Sequence, residues 1–462
     1  MFRRILIANR GEIAVRIIRT CREMNIETVA VYSAADKDSL HVKLASSAVC
    51  IGAASASDSY LNMERIISAA LVTGCEAIHP GFGFLSESAG FAALCEKNGI
   101  VFIGPEAGVI EKLGNKSAAR ECVSGYEVPV LPGSEKPVIT GDDAERAAEK
   151  TGCPVLIKAS AGGGGRGIRR ADDKSQVRKL FAEAKAEAEV CFGNDEMYIE
   201  KYIKNPRHIE IQILADEAGH VIQLGERDCS IQRKHQKLME ESPAMNIPED
   251  TRDAMGRAAV RAAKAAGYTS AGTVEFILDE GGSFYFIEMN TRIQVEHPVT
   301  EMQTGVDIVK EQIRIAAHMD LSFGQDDVKT KGHTIECRIN AEDPYNDFRP
   351  CTGKVGFVHL PGGPGVRVDT AIYYGYEVPP YYDSLLAKVI VHAETRLDAI
   401  RKMRRALEEL IIEGMITTGD FEYLILHQKD YISGRYSVDF MEEHAGELLK
   451  IGRQVENEES AG

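Results

Sequence analysis

Short apolar runs alternate with helical periodicity over the first 112 residues. RILIAN, ETVAVYS, EAIHPG and IVFIGP have the apolar character of strands, whereas residues 12–23 and 59–74 repeat apolar side chains at helical spacing. This alternation predicts a parallel sheet with helices on its faces. Residues 9–12 lie at a strand-to-helix turn, where open α/β sheets bind ligands. They lack the GxGxxG pattern, so a dinucleotide site is disfavoured and a simple tight turn at Gly11 is at least as good an interpretation.

A glycine-rich segment lies between two predicted strands further along the chain. VLIKAS and GIRRA flank AGGGGRG, and a predicted helix over residues 142–151 precedes them. Four consecutive glycines allow backbone N–H groups to surround an anion without obstruction by side chains. The GK[ST] ending of a P-loop is absent. A flexible linker is the alternative, but linkers seldom lie between two good strands. We predict a mobile hairpin that covers phosphates, with Lys158 as a phosphate partner.

The most informative stretch is SFYFIEMNTRIQVEHP, residues 283–298. Every second residue from position 288 is polar or charged, and the residues between them are mostly apolar. Because successive side chains of a strand point to opposite faces, the pattern predicts one extended strand with a row of functional groups on one face. At ~3.3 Å per residue the row would span about 26 Å, enough to line a nucleotide-sized cleft. Its members are Glu288, Asn290, Arg292, Gln294 and Glu296.

A predicted hairpin adds a carboxylate to this row. TVEFIL, residues 273–278, has the pattern of a strand, and residues 279–282 have the composition of the loop that follows. If Leu278 pairs with Ser283, Glu275 falls on the same face as Glu288 and Asn290. Two carboxylates and an amide oxygen suit Mg²⁺ or Mn²⁺. The alternative is an exposed polar sheet face on which these charges form cross-strand salt bridges.

Three further stretches carry candidate chemistry. MYIEKYI, residues 197–203, predicts a strand that joins the glycine-rich segment to the next domain, a natural place for an adenine base. RKHQK is a local basic cluster in an acidic chain, and is either a solvated loop or an anion site. HTIECRINAED, residues 333–343, alternates as a strand, so Arg338 either reaches the cleft or pairs with Glu336.

Composition narrows the class of protein. A chain of 462 residues is too long for one ordinary core, so we expect two to four domains. The net charge of −16 argues against a nucleic-acid surface, and no apolar run is long enough to cross a bilayer. Ten scattered cysteines without a CxxC pair indicate reduced thiols, and the first residues do not resemble a cleaved signal. We therefore expect a cytoplasmic enzyme that contacts neither nucleic acid nor membrane.

Several motifs, in order, resemble one family. RILIANRGEIAVRI, HPGFGFLSE, KASAGGGGRG, PRHIEIQ, ERDCSIQRKHQK, FIEMNTRIQVEHPVTE, ECRINAEDP and VPPYYDS resemble the motifs of biotin carboxylase, the ATP-grasp component of biotin-dependent carboxylases. The resemblance covers roughly residues 1–446. It implies an α/β and α+β multidomain fold. An N-terminal parallel α/β domain would span residues 1–113, and an ATP-grasp domain would span 114–330, with a mobile glycine-rich lid at about 130–203. A mixed β/α C-terminal domain would span 331–446, and we expect residues 447–462 to be a disordered tail.

The resemblance also implies roles for the matching residues. The ATP phosphates would contact Lys116, Lys158 and the lid glycines Gly163, Gly164 and Gly165. Adenine and ribose would contact Glu200, Lys201, Ile203, His208, Gln232 and His235. The metal ligands would be Glu275, Glu288 and Asn290, and bicarbonate would bind Lys237, Arg292, Gln294 and Val295. Glu296 would be the general base and Arg338 would face the ureido oxygen of biotin, so the implied catalytic set is Glu296, Arg292, Arg338 and Lys237.

The implied reaction uses ATP and Mg²⁺ or Mn²⁺ to convert bicarbonate to carboxyphosphate, which carboxylates biotin. The chain contains no Met-Lys-Met attachment site, so we expect biotin to arrive on a separate biotin carboxyl carrier protein and to leave to a carboxyltransferase component. The family implies a homodimer, and Arg19 and Glu23 match residues near its interface, although they also have the spacing of an intrahelical pair. Phe82 departs from the family, which commonly has tyrosine there.

Several functions remain open from the sequence. The leading one is the biotin carboxylase subunit of acetyl-CoA carboxylase, which performs the first half-reaction of that enzyme in fatty acid synthesis. The equivalent subunit of a pyruvate, propionyl-CoA or other acyl-CoA carboxylase is a close alternative, because the chain holds no recognisable acyl-CoA or keto-acid pocket. An ATP-grasp ligase that joins a carboxylate to an amine and a nucleotide sensor without turnover are further alternatives. A sensor would not need a base such as Glu296.

Overall fold

The structure is a computed structural model that describes residues 1–134, 136–159 and 167–461. The predicted lid residues Gly163, Gly164 and Gly165 lie outside the described residues. Among the described residues, no helix has both the length and the apolar character needed to cross a membrane. All ten cysteines are free thiols.

The N-terminal region contains the expected parallel sheet. Its five strands are β1 Arg4–Ile7, β2 Glu27–Ser33, β3 Ser47–Gly52, β4 Ala77–His79 and β5 Val101–Phe102, in the order β3-β2-β1-β4-β5. The helices are α1 Gly11–Glu23, α2 Leu40–Leu44, α3 Met63–Thr73 and α4 Ala89–Lys97. The sequence pattern does not predict the edge strand β3, because most of its side chains are half-buried or exposed and it lacks a strong apolar run.

A small antiparallel layer follows two linking helices. The elements are α5 Ala107–Gly114, α6 Lys116–Ser124, α7 Gly141–Thr151, β6 Val155–Ala159, β7 Ile168–Ala171, α8 Lys174–Phe192 and β8 Met197–Lys201. The strands run in the order β7-β6-β8, and their apolar side chains share a core with α7 and α8. Lys158 and Glu200 therefore lie on adjacent strands of one short sheet.

An eight-stranded antiparallel sheet forms the centre of the molecule. Its elements and their connections are β9 Arg207–Ala215, β10 Val221–Arg233, β11 Gln236–Ser242, α9 Glu249–Ala266, β12 Ser270–Leu278, β13 Phe284–Asn290, α10 His297–Thr304, α11 Ile308–Ala316 and β14 His333–Asn340. The strand order is β13-β12-β9-β10-β11-β14, and two later strands complete the sheet. The sheet thus continues across the domain boundary predicted at residue 331, because β14 pairs with β11.

The C-terminal region completes this sheet and covers it with helices. Its short strands are β15 Glu342–Asp343, β16 Arg349–Pro350, β17 Gly353–Lys354 and β18 Val358–His359, and its later elements are β19 Val366–Thr370, β20 Glu377–Val378, β21 Leu385–Ala393, α12 Arg396–Glu409, β22 Ile411–Ile412, α13 Gly419–Ile425, α14 Lys429–Ser433 and α15 Phe440–Ala461. Strands β21 and β19 extend the sheet beyond β14. Of the tail predicted to be disordered, residues 447–461 belong to α15, and Leu448 is buried in the C-terminal core.

The long strand predicted over residues 283–298 is wrong beyond Asn290. Strand β13 ends there, residues 291–296 form an irregular turn, and α10 begins at His297. Pro298 in the first turn of α10 explains the change, because proline is well suited to the start of a helix. The polar side chains of this segment therefore converge around a turn instead of forming a straight row.

The register predicted for the central hairpin is also wrong, by one residue. Leu278 pairs with Phe284 rather than Ser283, so the loop has five residues. A bulge between Glu275 and Phe276 shifts the pairing again, and Glu275 lies directly opposite Glu288. A β-bulge re-aims side chains in this way without changing the strand partners. The two carboxylates still share a face, as the sequence predicts.

The basic stretch predicted as a loop or an anion site forms a tight hairpin. Arg233 pairs with Gln236 across β10 and β11, and Lys234 and His235 form the two-residue turn with positive φ angles of 48° and 64°. Two positive φ values are the signature of a type I′ turn, whose twist matches that of the flanking strands. Lys237 then lies two residues inside the sheet rather than in a solvated loop.

Candidate active site

A cleft of about 2080 Å³ opens between the N-terminal region, the small antiparallel layer and the central sheet. The sequence-predicted residues that lie within the described part of the chain all line it. They are Lys116, Lys158, Glu200, Lys201, Ile203, His208, Gln232, His235, Lys237, Glu275, Glu288, Asn290, Arg292, Gln294, Val295, Glu296 and Arg338. The first and last of these residues, Lys116 and Arg338, are more than 200 positions apart in the sequence but line the same cleft. The hydrophobic pattern of the sequence could not show this.

Lys237 lies at the centre of the cleft among three carboxylates. Its Nζ is 2.5 Å from Glu296 Oε1, 2.7 Å from Glu210 Oε2 and 3.4 Å from Glu275 Oε1. These carboxylates come from the turn after β13 and from β9 and β12, which bring them together across the sheet. Burial disfavours the Lys237 cation, but the surrounding negative groups outweigh burial and raise its pKa well above the usual value.

Glu296 is a buried carboxylate held between two cations. Arg338 NH2 lies 2.8 Å from its Oε2, on the side opposite Lys237. Burial alone would raise the pKa of Glu296, but Lys237, Arg338 and Arg227 together hold it well below the usual value. The free site therefore presents an ionised carboxylate with a fixed orientation.

Arg338 reaches the cleft and pairs with Glu240, not with its strand neighbour Glu336. Its Nε donates to Glu240 Oε1 at 2.7 Å, and its NH2 bridges to Glu296. Burial, opposed by Arg338, raises the pKa of Glu240 to about 7. The guanidinium is thus fixed by two carboxylates, one on the strand next to it and one on the turn that follows β13.

Arg292 places a further positive charge in the lining of the cleft. Its Nε lies 2.9 Å from Glu87 Oε2, and its NH2 donates to Asn290 Oδ1 at 3.1 Å. Glu87 comes from the HPGFGFLSES loop of the N-terminal region, so this ion pair joins that loop to the central turn. Lys237, Arg338 and Arg292 together give the cleft three fixed cations for an anionic ligand.

The proposed metal ligands lie on two paired strands. Glu275 and Glu288 are opposite one another, and Asn290 Nδ2 donates to Glu275 Oε1 at 2.7 Å. Lys116 Nζ lies 3.1 Å from Glu288 Oε2. Burial raises the pKa of Glu275, but Lys237 and His208 outweigh burial and hold it far below the usual value. Two carboxylates and an amide oxygen are hard oxygen ligands, and this set fits Mg²⁺ or Mn²⁺.

The part of the cleft near β6 and β8 carries the residues predicted for the nucleotide. Lys158 forms an ion pair with Glu200, which also accepts from Arg120 at 2.9 Å. Lys201 Nζ donates to the Gly152 carbonyl at 2.8 Å, so its charge is turned toward α7. On the facing wall, His208 Nε2 lies 2.8 Å from Glu275 Oε2.

Sequence reasoning missed three residues that support this site. Arg227 is fully buried, and its guanidinium contacts Glu210 Oε1 at 2.6 Å and Gln294 Oε1 at 2.8 Å. Glu240 fixes Arg338, and Glu87 fixes Arg292. Each lies within a motif of the resemblance or beside one, but its partner is distant in sequence. Strand pairing brings the partners of Arg227 and Glu240 together, and the contact of the N-terminal loop with the central turn joins Glu87 to Arg292.

The sequence matches three families that follow one another along the chain. Residues 1–110 match the biotin carboxylase N-terminal domain, residues 115–323 match the ATP-binding domain of the carbamoyl-phosphate synthase L chain, and residues 336–443 match the biotin carboxylase C-terminal domain. Biotin carboxylase 1 of Bacillus subtilis is 54% identical over 443 residues, which are 96% of this chain and 98% of that protein. The chain belongs to the biotin carboxylase family.

Other members of the biotin carboxylase family serve different carboxylases. A pyruvate carboxylase subunit of Methanothermobacter thermautotrophicus is 50% identical over 458 residues, covering 98% of this chain and 93% of that protein. The biotin carboxylase domain dimer of Hydrogenobacter thermophilus 2-oxoglutarate carboxylase, solved with MgADP, ADP and bicarbonate, has 50% identity and a TM-score of 0.91. The match covers 97% of this chain and 99% of that chain.

Phe82, the departure from the usual tyrosine of the family, is a wall residue of the cleft. Its ring is half-buried against the N-terminal core, and its carbonyl accepts from Asn9 Nδ2 at 2.7 Å. The backbone and the ring are thus fixed without a hydroxyl group. We expect Phe82→Tyr to change kcat/KM for free biotin by less than about threefold, because a hydroxyl at a solvated cleft wall adds little net hydrogen-bond energy. A change of orders of magnitude in a steady-state biotin titration would contradict this.

Proposed function

We propose that this chain catalyses the ATP-dependent carboxylation of biotin with bicarbonate, releasing ADP and phosphate. The observation that carries the proposal is the central carboxylate: Glu296 is buried, ionised and fixed between Lys237 and Arg338 in the cleft. A nucleotide sensor or simple ATP-binding module would not need a buried base beside Lys237, Arg338 and Arg227. The family membership supports the same reaction.

In the proposed chemistry, two cations of the cleft bind bicarbonate and Glu296 deprotonates it. Bicarbonate would bind between Lys237 and Arg292, with Gln294 and the Val295 segment as the remaining wall. Bound bicarbonate would neutralise part of the positive charge that lowers the pKa of Glu296. The pKa of Glu296 would therefore rise, and Glu296 would be a stronger base when its substrate is present. Glu296 would remove the bicarbonate proton, and a bicarbonate oxygen would attack the γ-phosphorus of ATP while the bond to ADP breaks.

Lys116 and Lys158 would contact the phosphate chain of ATP. Both are held by carboxylates, Glu288 and Glu200, so both are positioned before a ligand arrives. Their charges would stabilise the phosphoryl oxygens as charge spreads over them. Carboxyphosphate would then release CO₂ and phosphate, and the phosphate would take the ureido proton of biotin. Arg338 would stabilise the resulting negative oxygen while nitrogen attacks CO₂.

A divalent metal would be held by Glu275, Glu288 and Asn290 and would neutralise charge on the nucleotide phosphates. We expect Glu288→Gln to raise the Mg²⁺ concentration for half-maximal activity at least about tenfold, since an amide replaces an ionised ligand. A Mg²⁺ titration at saturating ATP measures this, with Glu413→Gln, an exposed carboxylate outside the cleft, as the control. An unchanged titration midpoint would remove Glu288 from the metal site.

The proposed partners follow from the reaction. Biotin would be presented by a separate carrier protein and the carboxyl group passed to a carboxyltransferase, with acetyl-CoA carboxylase as the leading context and a pyruvate or other acyl-CoA carboxylase as the alternative. A homodimer is proposed, and Arg19 and Glu23 are exposed on α1, where a partner surface can contact them. The ten free thiols support the expected cytoplasmic location.

ADP release in the presence of ATP and Mg²⁺ tests the proposal, with bicarbonate and free biotin each present or omitted. We expect release that depends on bicarbonate and is strongly stimulated by biotin. Turnover indifferent to both would contradict the proposal and favour a carboxylate–amine ligase on the same fold. Reconstitution with carrier protein and either an acetyl-CoA or a pyruvate carboxyltransferase would then separate the two contexts.

A further inference from the structure

A fully buried lysine outside the implied catalytic set contacts the turn that carries Glu296. Lys388 lies on β21, and its side chain is 0% exposed. Its Nζ donates to the Val295 carbonyl at 2.8 Å and lies 3.0 Å from Glu12 Oε1. Glu12 belongs to the first turn of α1, so the contact joins the N-terminal region, the central turn and the C-terminal strands.

Lys388 and Arg338 act on consecutive residues of the turn. They are directly opposite one another on β21 and β14, so their side chains lie on the same face of the sheet. Lys388 binds the backbone carbonyl of Val295, and Arg338 binds the carboxylate of Glu296. Because the peptide between these two residues is planar, fixing the Val295 carbonyl also fixes the direction in which the chain enters Glu296.

The turn needs such an anchor because it lies outside regular secondary structure. Residues 291–296 follow the end of β13 and precede α10, so no strand ladder fixes them. A buried lysine is costly unless its charge is compensated, and Glu12 at 3.0 Å and Asp369, directly opposite on β19, supply negative charge. An apolar residue would pack at this position without that cost, but it could not hold a carbonyl oxygen.

We propose that Lys388 is a positioning residue, which with Glu12 as its counter-charge fixes the Val295 carbonyl and so holds the Glu296 carboxylate between Lys237 and Arg338. The inference rests on the proposed role of Glu296 as the base. It predicts that loss of Lys388 loosens the two ion pairs that lower the pKa of Glu296. The titratable and charged groups that face Glu296 and its neighbours in the cleft are Lys237, Arg338, Arg227, Glu210, Glu275, Glu240, Glu336 and the Cys229 thiol.

The test is a double variant, Lys388→Met with Glu12→Gln, which removes both members of the ion pair and leaves Asp369 paired with Arg367. We expect kcat for bicarbonate-dependent ADP release to fall about 100-fold, since a misplacement near 1 Å has that cost, while KM for ATP stays within about twofold. We also expect an acid limb to appear in the pH profile of kcat/KM for bicarbonate, because the pKa of Glu296 rises toward the assay range. The wild-type profile should lack this limb.

The control removes another ion pair, in which the carboxylate is buried and the arginine is half-buried. Arg252 and Glu226 are 2.7 Å apart, and neither lines the cleft. Arg252→Met with Glu226→Gln should lower the melting temperature but leave kcat and the pH profile unchanged. If the Lys388 double variant does not fold, Lys388→Gln with Glu12→Gln replaces it. The glutamine at position 388 is shorter than lysine but can still donate a hydrogen bond. We expect kcat and the pH profile to change in the same direction as in the methionine variant.

The outcomes separate this inference from the proposed function. Wild-type protein without biotin- and bicarbonate-dependent turnover would refute the proposed function itself. Active wild-type protein together with a folded Lys388 variant of normal kcat and unchanged pH profile would refute only the positioning role. A lower melting temperature alone, without the new acid limb, would show that Lys388 is merely structural and would overturn the inference.

Discussion

Glu296→Gln is expected to lower biotin-dependent ADP release by about 100- to 10,000-fold, the usual range for removal of a general base. The carboxamide keeps the shape of the side chain, but its one oxygen can accept from only one of Lys237 and Arg338, whose nitrogens lie 2.5 Å and 2.8 Å from the two carboxylate oxygens, and its NH2 group faces the other donor. It cannot take up a proton from bicarbonate. KM for ATP should stay within about twofold, because the described ion-pair partners of Glu296 are Lys237 and Arg338, neither of which is assigned to the nucleotide. Steady-state rates at saturating bicarbonate measure both quantities.

Glu226→Gln is the matched control for this variant. Glu226 is also buried and also held by an arginine, but it does not line the cleft. Normal turnover of Glu226→Gln beside inactive Glu296→Gln would assign the loss to the base rather than to the removal of a buried charge. If Glu296→Gln kept a tenth or more of the wild-type rate, Glu296 would not be the base.

Lys237→Met is expected to abolish activity and to destabilise the fold at neutral pH by about 3–5 kcal/mol. The change leaves Glu210, Glu275 and Glu296 together without the cation that now contacts all three. In the wild type the pKa values of Glu275 and Glu296 are held low, so these groups stabilise the fold above their ordinary pKa and lose that contribution as pH falls. In the variant they repel one another, so their pKa values rise and they take up protons at mildly acidic pH.

The sign of the pH dependence distinguishes this account from a simple packing defect. The difference in unfolding free energy between wild type and Lys237→Met should be largest near pH 7.5 and should shrink near pH 5, where the repelling carboxylates bind protons. Urea unfolding at the two pH values measures it. Arg252→Met is the control, because it leaves one buried carboxylate, Glu226, and one exposed carboxylate, Glu249, without their arginine and should keep normal turnover. A deficit that is equal at both pH values would contradict the electrostatic explanation.

The sequence predicts the parallel N-terminal sheet and most helices because their apolar periodicity is local. It also places Glu275, Glu288 and Asn290 on one face, since the period of a strand is two residues. It does not predict where the strand over residues 283–298 ends, because alternation continues through TRIQVE although the chain turns before Pro298. The pattern of hydrophobic residues likewise does not predict the bulge at Glu275.

The supporting contacts were beyond sequence reasoning for a different reason. Glu87 and Arg292 are 205 positions apart, and Arg338 lies 98 positions from Glu240. Each of these residues taken alone resembles an ordinary surface charge. Their role becomes visible only when the central sheet and the N-terminal loop bring them together. The resemblance to biotin carboxylases supplied residue roles, but it did not show which neighbours hold those residues in place.

In the proposed mechanism, bicarbonate is activated by transfer of the γ-phosphoryl group of ATP to one of its oxygens. Oxygen-18-labelled bicarbonate, supplied with ATP, Mg²⁺ and biotin, allows this transfer to be followed by mass analysis of the released phosphate. We expect each phosphate to carry one labelled oxygen, because the bridging oxygen of carboxyphosphate comes from bicarbonate and leaves with phosphorus. Phosphate without label, formed at the same rate as carboxybiotin, would mean that water or another acceptor attacks ATP, and it would contradict the mechanism.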